Sequence, residues 1–139
     1  MQLELTQALI TGHAVIDAEH RRIIEAINTI IQAAKADGEA WAFQSLLENF
    51  VALCAEHFRS EEAILAQARY PQLAGHTAYH EAMLAKARDV QALCLAADSP
   101  AARLRHLEDM VGCLVDDIVR SDLTFVSYLQ AAGVSSTQS

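Results

Sequence analysis

IDAEHRRIIEAINTIIQAA, residues 16–34, decides how this chain folds. Ile16, Ile23, Ile24, Ile27, Ile31 and Ala34 recur at steps of three and four, the spacing that lines up side chains along one face of an α-helix. His20 falls on the same stripe, where an imidazole among isoleucines needs a polar partner. Asp17 suits the positive end of a helix beginning nearby, and Gly38 supplies the stop.

The same periodicity returns three times. From about Ala40 to Ala68 the stripe reads Phe43, Leu47, Phe50, Cys54, His57, Phe58, Glu61, Ile64 and Leu65, ending before Tyr70 and Pro71. From about Leu73 to Ala96 it reads His76, His80, Met83, Leu84, Ala87, Val90 and Cys94. The fourth segment opens with Ser99 as N-cap and Pro100 at the first helical position, then shows Leu104, Leu107, Val111, Leu114, Ile118, Asp122 and Phe125. Four helices joined by short connections predict an all-α fold, an antiparallel up-down four-helix bundle over residues 1–131, with a flexible tail at 132–139.

Composition agrees. With 139 residues, 53% of them hydrophobic, and only two prolines and five glycines, the chain suits one well-buried helical domain and lacks the punctuation of strands and turns. The N-terminus has no basic, apolar leader pattern, and no apolar run approaches the ~20 residues of a membrane span, so a soluble cytoplasmic protein is expected. Cys54, Cys94 and Cys113 are odd in number and sit inside helical patterns, as reduced core thiols do. A net charge of −8 without a basic stripe argues against nucleic acid or an anionic membrane as partner and leaves room for bound cations. Nothing in the pattern demands an oligomer, and a monomer is consistent with it.

The polar residues on the stripes carry the chemistry. His20 and His57 lie nearly equally far on either side of the first turn, and His80 and Asp117 nearly equally far on either side of the turn near residue 98. In antiparallel helices, residues equally distant from a tight turn share one height. His57 with Glu61, and His76 with His80, are one turn apart on one face, so Glu61 points inward and Glu62 away. Any one buried histidine is ordinary core furniture, satisfied by a hydrogen bond. Four histidines with Glu61, Asp122 and neighbouring Asp117 in one dry layer need compensating positive charge, and metal ions supply it. The cluster contains no cysteine, which disfavours structural zinc. Imidazoles with bridging carboxylates suit a pair of iron ions, with manganese the main competitor.

The residues Gly12, Ile16, Asp17 and His20; His57, Phe58, Glu61 and Glu62; His76 and His80; and Leu114, Asp117, Ile118 and Asp122, in this order and spacing, resemble the motif set of the hemerythrin family, in particular the single-domain bacterial hemerythrins. The resemblance runs from about residue 10 to 128. It implies a non-haem di-iron centre that binds dioxygen or another small diatomic ligand, for storage, delivery or sensing rather than catalysis. One iron would take His20 and His57 and keep an open position. The other would take His76, His80 and a ligand at position 117, with Glu61, Asp122 and an oxo or hydroxo group bridging.

This chain departs from the family where histidine gives way to Asp117 and tryptophan to Cys113. A carboxylate at 117 turns a three-histidine iron site into two histidines and an acid, the ligand set of O2-activating iron enzymes. Added negative charge stabilises Fe(III), which favours faster autoxidation. A di-iron oxidase, peroxidase or nitric-oxide-reactive redox enzyme is therefore the alternative reading, and a metal-binding bundle without O2 chemistry the third. Asp117 as a non-ligand, with water on the metal or a single-metal site, also stays open. His13, two turns before His20, is a spare imidazole that could replace the missing histidine or hydrogen-bond a ligand, though it is expected rather to cap the helix or face solvent. His106 is expected to be structural or exposed, Cys54 and Cys113 to be apolar packing, and Arg21 and Arg22 to form a solvated face.

Overall fold

A computed structural model describes residues 11–36, 40–116 and 126–133 of the chain. Five helices occupy them: α1 (Ala14–Ala36), α2 (Ala40–Gln67), α3 (Leu73–Ala96), α4 (Pro100–Asp116) and the short α5 (Val126–Ala131). There is no strand among the described residues. Each long helix packs on its neighbours in sequence, and α4 returns to α1, which closes a four-helix bundle. The helices alternate in direction. His20 on α1 meets His57 on α2, whereas Ile16, earlier on α1, joins Leu65, later on α2.

The helix ends follow from local chemistry. At the start of α1 the Asp17 carboxylate accepts from Thr11 N (2.8 Å), Thr11 Oγ1 (2.8 Å) and Gly12 N (3.1 Å), so it ties the incoming chain across the first turn. Gly12 turns this corner at φ 88°, a conformation costly for any residue with a Cβ. His13 occupies the N-cap position, and its Nδ1 accepts from Ile16 N at 3.5 Å. The capping role expected of it is therefore what it performs. At α4, Ser99 Oγ accepts from Ala102 N at 3.1 Å, the N-cap bond that the Ser-Pro pair forecasts.

The α2–α3 turn is a Schellman motif. Tyr70 N donates to Leu65 O (2.9 Å) and Arg69 N to Ala66 O (3.0 Å), with Leu65 and Tyr70 in apolar contact. The left-handed position that normally takes glycine is held by Arg69, at φ 58°. Tyr128 on α5 donates to the carbonyls of Ala68 (2.6 Å) and Arg69 (2.8 Å) and meets the Tyr70 ring edge-on, so α5 closes this end of the bundle.

Two apolar clusters fill the interior. The larger joins Ile23, Ile27, Ile31, Leu47, Phe50 and Phe58 to Val90, Cys94, Leu107 and Val111. The smaller holds Ile16, Leu65 and Leu129, with Leu73 and the two tyrosines against it. Cys94 is an inert part of the first. Burial pushes its thiol up to about 11 despite the opposing charge of Arg103. No helix among the described residues is long and apolar enough to cross a membrane.

Because Arg69 is exposed and held in the left-handed region, Arg69→Gly should raise unfolding stability by about 0.5–1 kcal/mol. Denaturant midpoints measure this, and a lower midpoint for the variant would refute the strain assigned to that turn.

Candidate metal centre

Between the two apolar clusters lies one polar layer. On α1 it is reached by passing from Ile16 to His20 before Ile23; on α2 from Phe58 to Glu61 before Leu65; on α3 from Leu73 through His76 and His80 before Met83. The residues that hold hydrophobic-stripe positions but carry polar heads are thus stacked at one level, with hydrocarbon above and below. His20, His57 and His80 are each at most 2% exposed, His76 9%, and Glu61 is fully buried.

Glu61 is the hub. Its Oε2 lies 3.2 Å from His57 Nε2, and its Oε1 lies 2.6 Å from His76 Nε2 and 3.0 Å from His80 Nε2. His20 Nε2 faces His57 Nε2 at 3.0 Å. The rings meet edge-on within each pair, at 4.6 Å between centroids for His20 and His57 and 4.3 Å for His76 and His80. Two ligand groups result, His20–His57–Glu61 and Glu61–His76–His80, and one carboxylate serves both, with one oxygen turned to each.

Burial pushes the Glu61 carboxyl up, but hydrogen bonding from His57, His76 and His80 and the charge of His57 outweigh it and hold the group well below the usual carboxylate range. A charged Glu61 in a dry layer calls for positive charge beside it, from an added proton on an imidazole or from a metal ion. The outer nitrogens sharpen the point. His57 Nδ1 donates to Glu19 Oε1 at 2.9 Å, and His80 Nδ1 to Glu62 Oε2 at 3.3 Å. With one proton each, rings bound this way would turn their Nε2 lone pairs toward the Glu61 oxygens and His20, setting like-signed lone pairs within about 3 Å of one another. Glu61 Oε2 and His80 Nε2 have no well-directed hydrogen bond to the protein despite these short distances. Only added protons or metal ions reconcile such a set. The mix of imidazole and carboxylate, without thiolate, fits a divalent transition ion in each group.

Beside the layer, a largely apolar cavity of about 20 Å³ is lined by Phe50, Cys54, Phe58, Met83, Leu84, Ala87 and Met110, together with Lys86. Phe58 forms its wall and also stacks on His80, with centroids 4.0 Å apart and planes 12° from parallel.

Of the seven residues named as ligands from the sequence, five come together: His20, His57, Glu61, His76 and His80. Asp117 and Asp122 lie outside the described residues. His13 caps α1 and His106 is half-buried on α4, and neither joins the two groups. Cys54 sits in the apolar core as expected, and Arg21 and Arg22 are exposed. Sequence reasoning missed Glu19 altogether and treated Glu62 only as an outward-facing neighbour. For Glu19 a signal existed: it and His57 stand equally far from residue 38, so the same height rule that pairs His20 with His57 also brings Glu19 level with it.

The profile of the Hemerythrin HHE cation binding domain matches residues 11–129. A bacteriohemerythrin of Ralstonia nicotianae is 33% identical over 89 residues, 64% of this chain and 61% of that protein. One from Stenotrophomonas maltophilia is 30% identical over 96 residues, covering 69% of this chain and 62% of its own length. One from Pseudomonas paraeruginosa is 29% identical over 97 residues, with coverage of 70% and 63%. The matched stretch thus spans less than two thirds of each of these relatives.

If the layer binds metal, stripping with a chelator should lower the melting temperature and returning Fe(II) or Mn(II) should restore it. Saturation at a hundredfold over Kd adds about 2.7 kcal/mol, which is a shift of roughly 5 °C or more for a domain of this size. Glu61→Gln should melt at one temperature with and without the ion. A wild-type melting temperature indifferent to both ions would contradict the assignment.

Proposed function

Since this chain belongs to the hemerythrin family, we propose that it is a non-haem di-iron protein that binds dioxygen. The observation that carries the reading is the single buried Glu61 carboxylate shared by two histidine pairs, one on each of its oxygens. In this reading His20 and His57 hold one iron, His76 and His80 the other, and Glu61 bridges them. By the family resemblance, Asp122 would be the second bridge and Asp117 would complete the iron held by His76 and His80. Manganese is the competitor for the same ligands.

Held by these residues, a pair of ferrous ions would supply the two electrons that dioxygen takes up on binding. The residues of the chain do the remainder. The larger apolar cluster on one side and the Ile16–Leu65–Leu129 cluster on the other exclude water from the polar layer, which strengthens every electrostatic interaction inside it and slows side reactions. Phe58, stacked on His80, fixes that ring and gives the layer an apolar wall facing the 20 Å³ cavity, a space suited to a small uncharged gas molecule rather than to an organic substrate. These features support binding over turnover. The name bacteriohemerythrin carried by the relatives supports it as well.

The second reading, a redox enzyme acting on O2, peroxide or nitric oxide, is favoured by one observation, the acid at position 117 where the family carries histidine. An anionic ligand there stabilises the ferric state and shortens the life of the oxygenated protein.

Mixing the reduced protein with O2 under anaerobic handling should produce a visible ligand-to-metal charge-transfer band that persists for minutes and fades when O2 is withdrawn. Absence of any band would overturn dioxygen binding, and rapid bleaching with product release would favour the enzyme. Asp117→His should lengthen the lifetime of the oxygenated form at least several-fold in stopped-flow decay. Equal lifetimes would remove the role assigned to the acid.

A further inference from the structure

We propose that Glu19 and Glu62 are positioning residues of the centre: each accepts the outer N–H of one inward-facing imidazole, Glu19 that of His57 and Glu62 that of His80, and so fixes which ring nitrogen faces Glu61. The proposal rests on the metal reading of the layer but needs neither iron nor dioxygen.

The two contacts are built alike. Glu19 reaches from α1 to a ring on α2, and Glu62 from α2 to a ring on α3, so each ligand group contains one imidazole held from behind by a carboxylate of the preceding helix. His80 is gripped by consecutive residues: Glu61 Oε1 stands 3.0 Å from its Nε2, Glu62 Oε2 3.3 Å from its Nδ1, and Phe58 lies flat against its face. His57 is held in the same manner between Glu19 on Nδ1 and Glu61 on Nε2. The positioning glutamates are only partly covered, with side chains 18% and 25% exposed, so the ring-facing oxygen is sheltered while the rest of the head group reaches water. At Glu19 the outer side opens into a polar recess of about 30 Å³ shared with Arg22 and Glu56, with His57 at its edge.

A neutral imidazole in water interconverts between two tautomers of similar energy. Turned the wrong way, His57 or His80 would aim an N–H at the place where a metal ion must sit. A carboxylate on Nδ1 accepts a proton but cannot donate one, so it selects the tautomer whose Nε2 lone pair points inward, and its charge raises the basicity of that lone pair. The spacing on α2 serves both needs: Glu61 and Glu62 are adjacent, about 100° apart around the helix, so one enters the layer while the other passes behind His80.

Two-bond 1H–15N correlation of metal-free protein labelled with 15N-histidine reads the tautomers directly. Wild type should carry a proton on Nδ1 of both His57 and His80. Glu19→Ala should lose the Nδ1 proton of His57 alone, leaving its proton on the Nε2 that faces Glu61, and Glu62→Ala should do the same to His80 alone. Glu19→Gln should keep His57 as in wild type, because the amide oxygen still accepts. Competition against a chelator with Co(II) as probe should show affinity falling about 10- to 100-fold in each alanine variant and mostly recovering in the glutamine variant. Glu25→Ala, an exposed acid on α1, should change neither readout. Alanine variants that keep wild-type tautomers and bind Co(II) within twofold of wild type would overturn the positioning role alone. Wild-type protein that takes up no Co(II) would overturn the metal reading and the positioning role together.

Discussion

One ionised carboxylate in the dry middle of a bundle sets the terms for the rest of this structure. Glu61 is fully buried, and a bare carboxylate in such surroundings would take a proton or unfold the layer around it. Here imidazoles from α2 and α3 hold it in its charged form, with His20 of α1 brought against His57 behind them. The requirement for positive charge in this layer then selects what surrounds it: nitrogen ligands rather than hydrocarbon at four stripe positions, and acids on the outer edges of two rings.

The apolar clusters are organised around that constraint. Each long helix that contributes a ligand gives apolar residues to one cluster before its polar position and to the other after it, so the layer is sealed between two plugs of hydrocarbon. The end-closing devices protect the smaller plug. The Thr11–Asp17 clamp fixes where α1 begins, nearly two turns ahead of His20, and the Arg69 Schellman turn with Tyr128 laid over it fixes where α2 stops, beyond Glu61 and Leu65. Height along the helix is what brings ligands together, and each of these devices sets a height.

Much of this was legible in the residues because helical periodicity and equal distance from a turn are global rules with little freedom. His20 and His57, level by counting, do face each other, and Glu61 rather than Glu62 enters the layer, as one turn from His57 requires. Ser99 and His13 cap their helices as their neighbours in sequence suggest. What escaped depends on side-chain reach between helices. Glu19 sits off the apolar stripe beside Arg21 and Arg22, and by pattern it looks the same as any acid on a wetted face; counting from residue 38 puts it level with His57, but height alone does not give the contact that joins them. Asp17 reads as an ordinary first-turn acid, and nothing in the periodicity says that its carboxylate bends back to gather Thr11 and Gly12. Arg69 in a glycine-type position is invisible to composition, since the turn is held by the backbone bonds from Tyr70 to Leu65 and from Arg69 to Ala66 and by Tyr70 packing on the smaller cluster.

The central claim is that one shared carboxylate and two histidine pairs cage two cations. Elemental analysis of the chain after anaerobic reconstitution with Fe(II) and removal of loose metal tests it most directly. The account predicts about two irons per chain in the wild type. A chain that retains none, with its bundle intact by circular dichroism, would contradict it.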